Sequence, residues 1–268
     1  MRILDLPQFA CFRAQEAGVK VLRHRDSSRD LWQLFDSGTF EDYQNGQDWD
    51  VFGSAEFIIS LIAERQRFAR FVGVWRVLKK RKGPKGGFRY STEVVPGFEE
   101  LQGRLVVEWG EGARSWAQRL DGKGNKSVSE ILPANYVMEF PGFYDLVLSY
   151  SQLQKLIHNP EPNREWHRML SSVSGVYIIL DSRTGNQYVG SAYGKDGIWG
   201  RWRAYAKNPS GGNKLLKELL TQRPNAATDL QFSILRVLEP GATKDDVLQQ
   251  EILTKAKLGT RAFGLNDN

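Results

Sequence analysis

The chain has 268 residues, a length that suits two domains of moderate size. Hydrophobic residues make up 41% and charged residues 25%, so we expect a globular chain, and the single cysteine excludes an intrachain disulfide and a multi-cysteine zinc site. The net charge of +6 and the pI near 9.3 fit a polyanionic partner without proving one.

The first residues predict no targeting or membrane segment. Residues 2–7 are too short and too interrupted for a signal peptide, and the apolar run at 57–63 cannot span a bilayer. Together with the low cysteine content, this predicts a cytoplasmic protein with no membrane partner.

Residues 1–160 predict a strand-rich, mixed α/β domain with a recognition or regulatory role. The segment through Trp32 and Phe35 looks partly helical, and Ser54 is expected to cap a helix over 55–65. Runs rich in Val, Phe, Trp and Tyr, separated by turns with Gly or Pro, predict strands over 68–78, 88–95, 104–109 and 136–140.

A polar stretch with two prolines, 158–165, predicts a linker or an exposed loop. A second domain is therefore expected over 166–268, beginning with a short helix at 166–172. Its pattern predicts strands over 175–180, 187–191 and 230–238, and helices over 198–207, 214–222 and 246–258. Thr243 is expected to cap the last helix and Gly259 to end it. The result is an α+β unit of about three antiparallel strands flanked by helices.

An ordered set of residues in this second domain carries a resemblance. Gly175-Val176-Tyr177 and Tyr188-Val189-Gly190 lie on the two strands of a hairpin, Arg201 lies in the next helix, and Glu251 lies in a late helix. This set resembles the GIY-YIG nuclease superfamily, which includes restriction endonucleases, homing endonucleases and the nuclease module of excision repair. The resemblance covers about residues 170–268 and implies hydrolysis of phosphodiester bonds.

The residue types suit that chemistry. Glu251 offers a hard oxygen ligand to one divalent cation, Mg²⁺ or Mn²⁺. The planar guanidinium of Arg201 can hold a phosphate oxygen, and Tyr205 shares its helix face at i+4.

The resemblance also implies roles for the other site residues. Tyr177 or Tyr188 would position and deprotonate the attacking water, and we favour Tyr188 as the base. Because an ordinary phenol has a pKa near ~10, that role needs help from the metal, Arg201 or a lysine such as Lys195. Asn266 matches a late asparagine of the family and would orient the hairpin or contact phosphate.

Each of these residues has an ordinary alternative interpretation. The tyrosines could be sheet aromatics, Arg201 a solvated helix residue, and Glu251 a surface carboxylate. Their joint occurrence in the expected order favours the nuclease.

Further basic and aromatic residues are candidates for contact with nucleic acid. The run from 76 to 89 has no acidic residue, and it predicts either a phosphate-contacting loop or a solvated hairpin tip. Trp75 and Trp109 lie in a region that resembles small PUA or EVE-type barrels, which hold a base in an aromatic cage; core packing is the alternative. The candidates are Lys79, Lys80, Arg81, Lys82, Lys85, Trp75, Trp109, Lys195 and Arg203.

The sequence thus predicts an endonuclease that cuts duplex DNA with one divalent cation. Fusion to a recognition domain favours restriction-like cleavage of foreign or modified DNA. The alternatives are a structure-specific repair or recombination nuclease, an inactive nucleic-acid-binding protein, and a ribonuclease. One active site per chain predicts a homodimer or two successive cuts.

Overall fold

The computed structural model describes residues 1–64, 67–83, 86–110, 115–239 and 241–267. The chain divides into two units, Met1–Ala134 and Asn135–Asn268. No helix within these ranges is both long and apolar enough to cross a membrane.

The first unit is built on an eight-stranded mixed sheet. Its helices are α1 (Leu31–Asp36) and α2 (Phe40–Asn45), and its strands are β1 (Val19–His24), β2 (Gly46–Gln47), β3 (Phe57–Ala63), β4 (Phe68–Lys82), β5 (Phe88–Val94), β6 (Leu105–Glu108), β7 (Ala117–Arg119) and β8 (Ser127–Ile131). The strand order is β2-β5-β4-β3-β1-β7, and β6 pairs with both β4 and β8. The β1–β3 pair is parallel, and the other pairs are antiparallel.

The predicted helix over 55–65 is wrong, because β3 occupies its centre. Ile58, Ile59, Leu61 and Ile62 are all buried, and β3 is bonded to β1 on one side and to β4 on the other. A strand that is buried on both faces shows a continuous apolar run, and periodicity cannot separate such a run from a buried helix. The strands predicted over 68–78, 88–95 and 104–109 are confirmed with shifted ends, as is the helical segment at Trp32 and Phe35.

The second unit surrounds a four-stranded antiparallel sheet of order β11-β10-β12-β9. Its elements are β9 (Leu148–Ser149), α3 (Tyr150–His158), α4 (Arg164–Ser171), β10 (Gly175–Asp181), β11 (Gln187–Ala192), α5 (Gly197–Lys207), α6 (Lys214–Gln222), β12 (Leu230–Val237), α7 (Lys244–Leu258) and α8 (Thr260–Phe263). The helices and strands predicted here are confirmed, with β9 as an additional edge strand. No strand forms over 136–140, so that prediction is wrong.

The boundary between the units lies before the predicted linker at 158–165. Leu148, Leu153 and Leu156 are buried in the core of the second unit, together with Trp166. Asn163 is buried and closes the 158–165 stretch, because its side chain bonds the backbone of residues 135, 137 and 159. The stretch is therefore a fixed turn inside the second unit, and residues 135–160 belong with the predicted nuclease domain.

Candidate active site

The register of the β10–β11 hairpin places two tyrosines on one face. Tyr177 lies opposite Gly190, and Tyr188 lies opposite Ile179, which is two residues from Tyr177 on the same strand. Cross-strand partners share a face, and so do residues i and i+2, so both phenols project from the same side. A Cβ at Gly190 would lie 2.5 Å from the Tyr177 hydroxyl, which explains the glycine at this position.

Helix α5 packs Arg201 and Tyr205 against this face. The hydroxyls of Tyr177 and Tyr205 are 3.2 Å apart. Arg201 donates from Nε to the Tyr177 hydroxyl at 3.1 Å and from a terminal nitrogen to the Tyr205 hydroxyl at 3.3 Å. Its guanidinium carbon also lies 4.9 Å from the centre of the Tyr205 ring. The two phenols therefore fix the orientation of the guanidinium.

The two inner tyrosines are neutral in this setting. Tyr177 and Tyr205 are fully buried. Burial disfavours the phenolate and raises the pKa of Tyr177 and of Tyr205 above the ordinary value. Neither residue is suited to accept a proton from water, so both serve to hold Arg201.

Tyr188 differs from these two because it is closer to open space. Its side chain is 8% exposed, whereas Tyr177 and Tyr205 are fully buried. A cleft of about 740 Å³ is lined by Tyr188 together with Tyr177, Arg201 and Glu251. The cleft thus brings together four of the predicted catalytic residues, from β10, β11, α5 and α7.

Helix α7 carries Glu251 to the cleft, where neighbouring side chains hold both of its carboxylate oxygens. Ser191, on β11, donates to Oε2, and the Lys255 ammonium lies 2.7 Å from Oε1. No cluster of three or more metal-ligating side chains exists within the described ranges. A single carboxylate beside an open cleft suits Mg²⁺ or Mn²⁺, since Mg²⁺ keeps several waters and takes few protein ligands.

Lys195 and Arg203, for which the sequence predicts contact with nucleic acid, also line the cleft. Arg203 forms a salt bridge with Asp196 at 3.3 Å, and both side chains are partly exposed. The Asp196 carboxylate therefore balances part of the Arg203 charge. Ser191, Tyr193 and Lys255 were not predicted from the sequence. The i,i+4 spacing of Glu251 and Lys255 on a helix was a signal that could have indicated Lys255.

Asn266 lies apart from the cleft lining. It is buried, accepts a hydrogen bond from the Val189 amide at 2.9 Å and donates to the Val189 carbonyl at 2.8 Å. Of its two predicted roles, orienting the hairpin fits these contacts, because both bonds fix β11 between Tyr188 and Gly190.

The described basic residues of the first unit that were predicted to contact nucleic acid lie on β4. Lys79, Lys80, Arg81 and Lys82 are exposed on the outer half of β4, and Lys80 pairs with Asp50 at 2.7 Å. Lys85 lies outside the described residues.

Trp75 and Trp109 are buried in two core clusters, with 5% and 2% of their surface exposed. The prediction that they stack on a base is therefore wrong, because neither ring has a free face to offer. The tryptophans pack the sheet instead, and the resemblance of the first unit to PUA or EVE-type barrels stays a prediction.

Comparison with known proteins gives only a partial structural similarity. No family model matches the chain. No curated protein matches it either. Two solved structures do: the catalytic domain of homing endonuclease I-TevI (24% identity, 35% of this chain, 96% of that chain, TM-score 0.29) and a mutant of the catalytic domain of intron endonuclease I-TevI (22%, 36%, 94%, 0.30). At these values the similarity does not define a family for the chain.

Proposed function

We propose that the chain is a divalent-metal-dependent endonuclease that hydrolyses phosphodiester bonds in DNA. The observation that carries this proposal is the fixed Arg201, which two buried phenols orient at a cleft that also holds Tyr188 and Glu251. An arginine held this way is suited to a phosphate, because an oriented donor stabilises developing charge without reorganising.

Arg201 has donors left for substrate. A guanidinium has five N–H donors, and the contacts to Tyr177 and Tyr205 use two, which leaves three. These can bond the non-bridging oxygens of the scissile phosphate in the planar geometry that arginine favours. The charge that builds on those oxygens in the transition state is thereby stabilised.

Tyr188 is the residue placed to act on the attacking water. Its side chain is 8% exposed at the cleft, whereas Tyr177 and Tyr205 are fully buried and use their hydroxyls to hold Arg201. In the proposed step the Tyr188 phenolate accepts a proton as the water oxygen forms its bond to phosphorus, and the leaving sugar oxygen takes a proton from solvent as its bond to phosphorus breaks.

Glu251 is the residue that would hold the cation. A bound Mg²⁺ or Mn²⁺ would act as a Lewis acid on the phosphate and its leaving oxygen. Glu251 contributes a negative oxygen at a fixed position, since Ser191 and Lys255 hold its carboxylate.

Basic residues in both units favour nucleic acid as the substrate. Lys195 and Arg203 line the cleft, and Tyr193, which is 44% exposed, adds an aromatic ring to the same lining. In the first unit, Lys79, Arg81 and Lys82 are exposed cations suited to phosphate contacts of low sequence specificity. We propose that this unit guides restriction-like cleavage of foreign or modified duplex DNA in the cytoplasm, and that two copies act together to cut both strands.

The proposal is tested on supercoiled plasmid with the purified full chain. Nicked and linear products are expected with Mg²⁺ or Mn²⁺, none with EDTA, and none with Arg201→Ala. Arg183→Ala, at an exposed arginine of the β10–β11 turn, serves as the matched control and should cut normally. Metal-independent cutting, or equal cutting by Arg201→Ala, would refute the proposal. Plain duplex, modified duplex, branched DNA and RNA tested side by side then identify the substrate.

A further inference from the structure

Helix α7 contains a buried lysine next to the proposed metal ligand. Lys255 is only 3% exposed, whereas Lys257, two residues further along the same helix, is exposed. Lysine is almost never fully buried unless its charge is paired, because removing an ammonium from water is costly. The position of Lys255 therefore needs a partner that justifies its burial.

Glu251 is one such partner. The two residues are one helical turn apart, the Nζ–Oε1 distance is 2.7 Å, and the side chains are 4% and 13% exposed. Ser191 donates to the other carboxylate oxygen, Oε2. The carboxylate is thus fixed at both oxygens, from its own helix and from β11.

The Lys255 ammonium has two opposite consequences for a cation at Glu251. It restricts the carboxylate to one orientation, which favours catalysis because a ligand must be held close to its productive geometry. It also places a positive charge next to the oxygen that the cation needs, and like charges repel more strongly in a poorly solvated site. The ammonium therefore orients the Glu251 carboxylate and reduces its affinity for the cation.

We propose that Lys255 is a positioning residue that fixes the Glu251 carboxylate and at the same time weakens its affinity for the divalent cation. The proposal rests on the proposed nuclease function, since it assumes that Glu251 binds a cation. The proposal predicts two opposite effects: loss of the ammonium should tighten cation binding and slow DNA cutting.

The test uses Lys255→Met in the full chain, which keeps an unbranched side chain one atom shorter and removes the charge. Calorimetric titration with Mn²⁺ alone, without DNA, should show affinity tightened by about threefold or more. Cutting of duplex DNA at saturating Mn²⁺ should slow by about tenfold or more, as for other residues that orient metal ligands. Lys257→Met is the matched control and should leave both quantities unchanged.

A second variant separates charge from packing. Ser191→Ala removes the other anchor of Glu251 without changing the net charge, so cutting should slow while Mn²⁺ affinity does not tighten. Lys255→Arg keeps the positive charge, so its Mn²⁺ affinity should stay close to the wild-type value. If Lys255→Met fails to fold, the pair Ser191→Ala and Lys255→Arg still decides: tighter Mn²⁺ binding in either contradicts the proposal.

The outcomes also distinguish this inference from the proposed function. If the wild-type chain binds Mn²⁺ and cuts DNA, but Lys255→Met behaves like Lys257→Met or loses affinity and rate together, only the inference is overturned. If the wild-type chain neither binds Mn²⁺ nor cuts, the nuclease function fails and the inference falls with it.

Discussion

Three phenols of the candidate site share one chemistry but differ in their surroundings. Tyr177 and Tyr205 are buried against Arg201, and the Tyr188 side chain lines the cleft. The sequence predicted that Tyr177 or Tyr188 is the base and favoured Tyr188. Burial favours Tyr188, because the raised pKa of Tyr177 keeps that phenol protonated.

Tyr188→Phe removes only the hydroxyl and should slow cutting by about 100-fold or more, the usual contribution of a general base. The fold should be unaffected, since the ring remains. Single-turnover rates on end-labelled duplex measure this, with Tyr144→Phe, an exposed tyrosine of the same unit, as control. A rate within about twofold of wild type would assign the base role elsewhere.

At the scale of elements, two hydrogen bonds to one side chain hold β11 in place. Asn266→Ala leaves the amide and the carbonyl of Val189 without these partners in a buried position. The second unit should lose about 1–3 kcal/mol of unfolding free energy. Urea unfolding tests this, and Asn225→Ala, at an exposed position, should have no effect. Equal midpoints for both variants would show that Asn266 does not hold the strand.

The outer half of β4 should contribute electrostatic binding without specificity. Lys79 and Arg81 lie two residues apart on one strand face, and Arg89 pairs opposite Arg81. The double variant Lys79→Ala, Arg81→Ala should make the fall of log affinity with log salt concentration less steep, with a slope smaller in magnitude by about 2. Fluorescence anisotropy with duplex DNA measures the slope. Lys123→Ala, at an exposed lysine of the same unit, is the control; an unchanged slope in the double variant would exclude this contact.

Elements with local signals were predictable from the sequence. Thr243 caps α7 and Gly259 ends it at a φ of 64°, because capping and turn residues act on their immediate neighbours. The burial of β3 on both faces and of Trp75 and Trp109 depends on strands distant in sequence. No local pattern records such packing, so the helix prediction and the base-stacking prediction both failed there.

At the scale of the molecule, the position of the boundary has a direct consequence. A fragment of residues 135–268 keeps β9 and α3 and should fold and cut DNA at reduced affinity. A fragment of residues 166–268 lacks Leu148, Leu153 and Leu156 from its core and should not fold cooperatively. Circular dichroism during thermal unfolding compares the two. Cooperative folding of the shorter fragment would contradict the boundary.

The central claim is that one cleft in the second unit cuts DNA with a cation held through Glu251. Glu251→Gln keeps the shape of the side chain but removes its charge. The account predicts that this variant binds duplex DNA like the wild type and loses about 10³-fold or more in single-turnover cutting. Glu218→Gln, at an exposed glutamate on α6, should cut normally. Cutting by Glu251→Gln at the rate of Glu218→Gln would contradict the account.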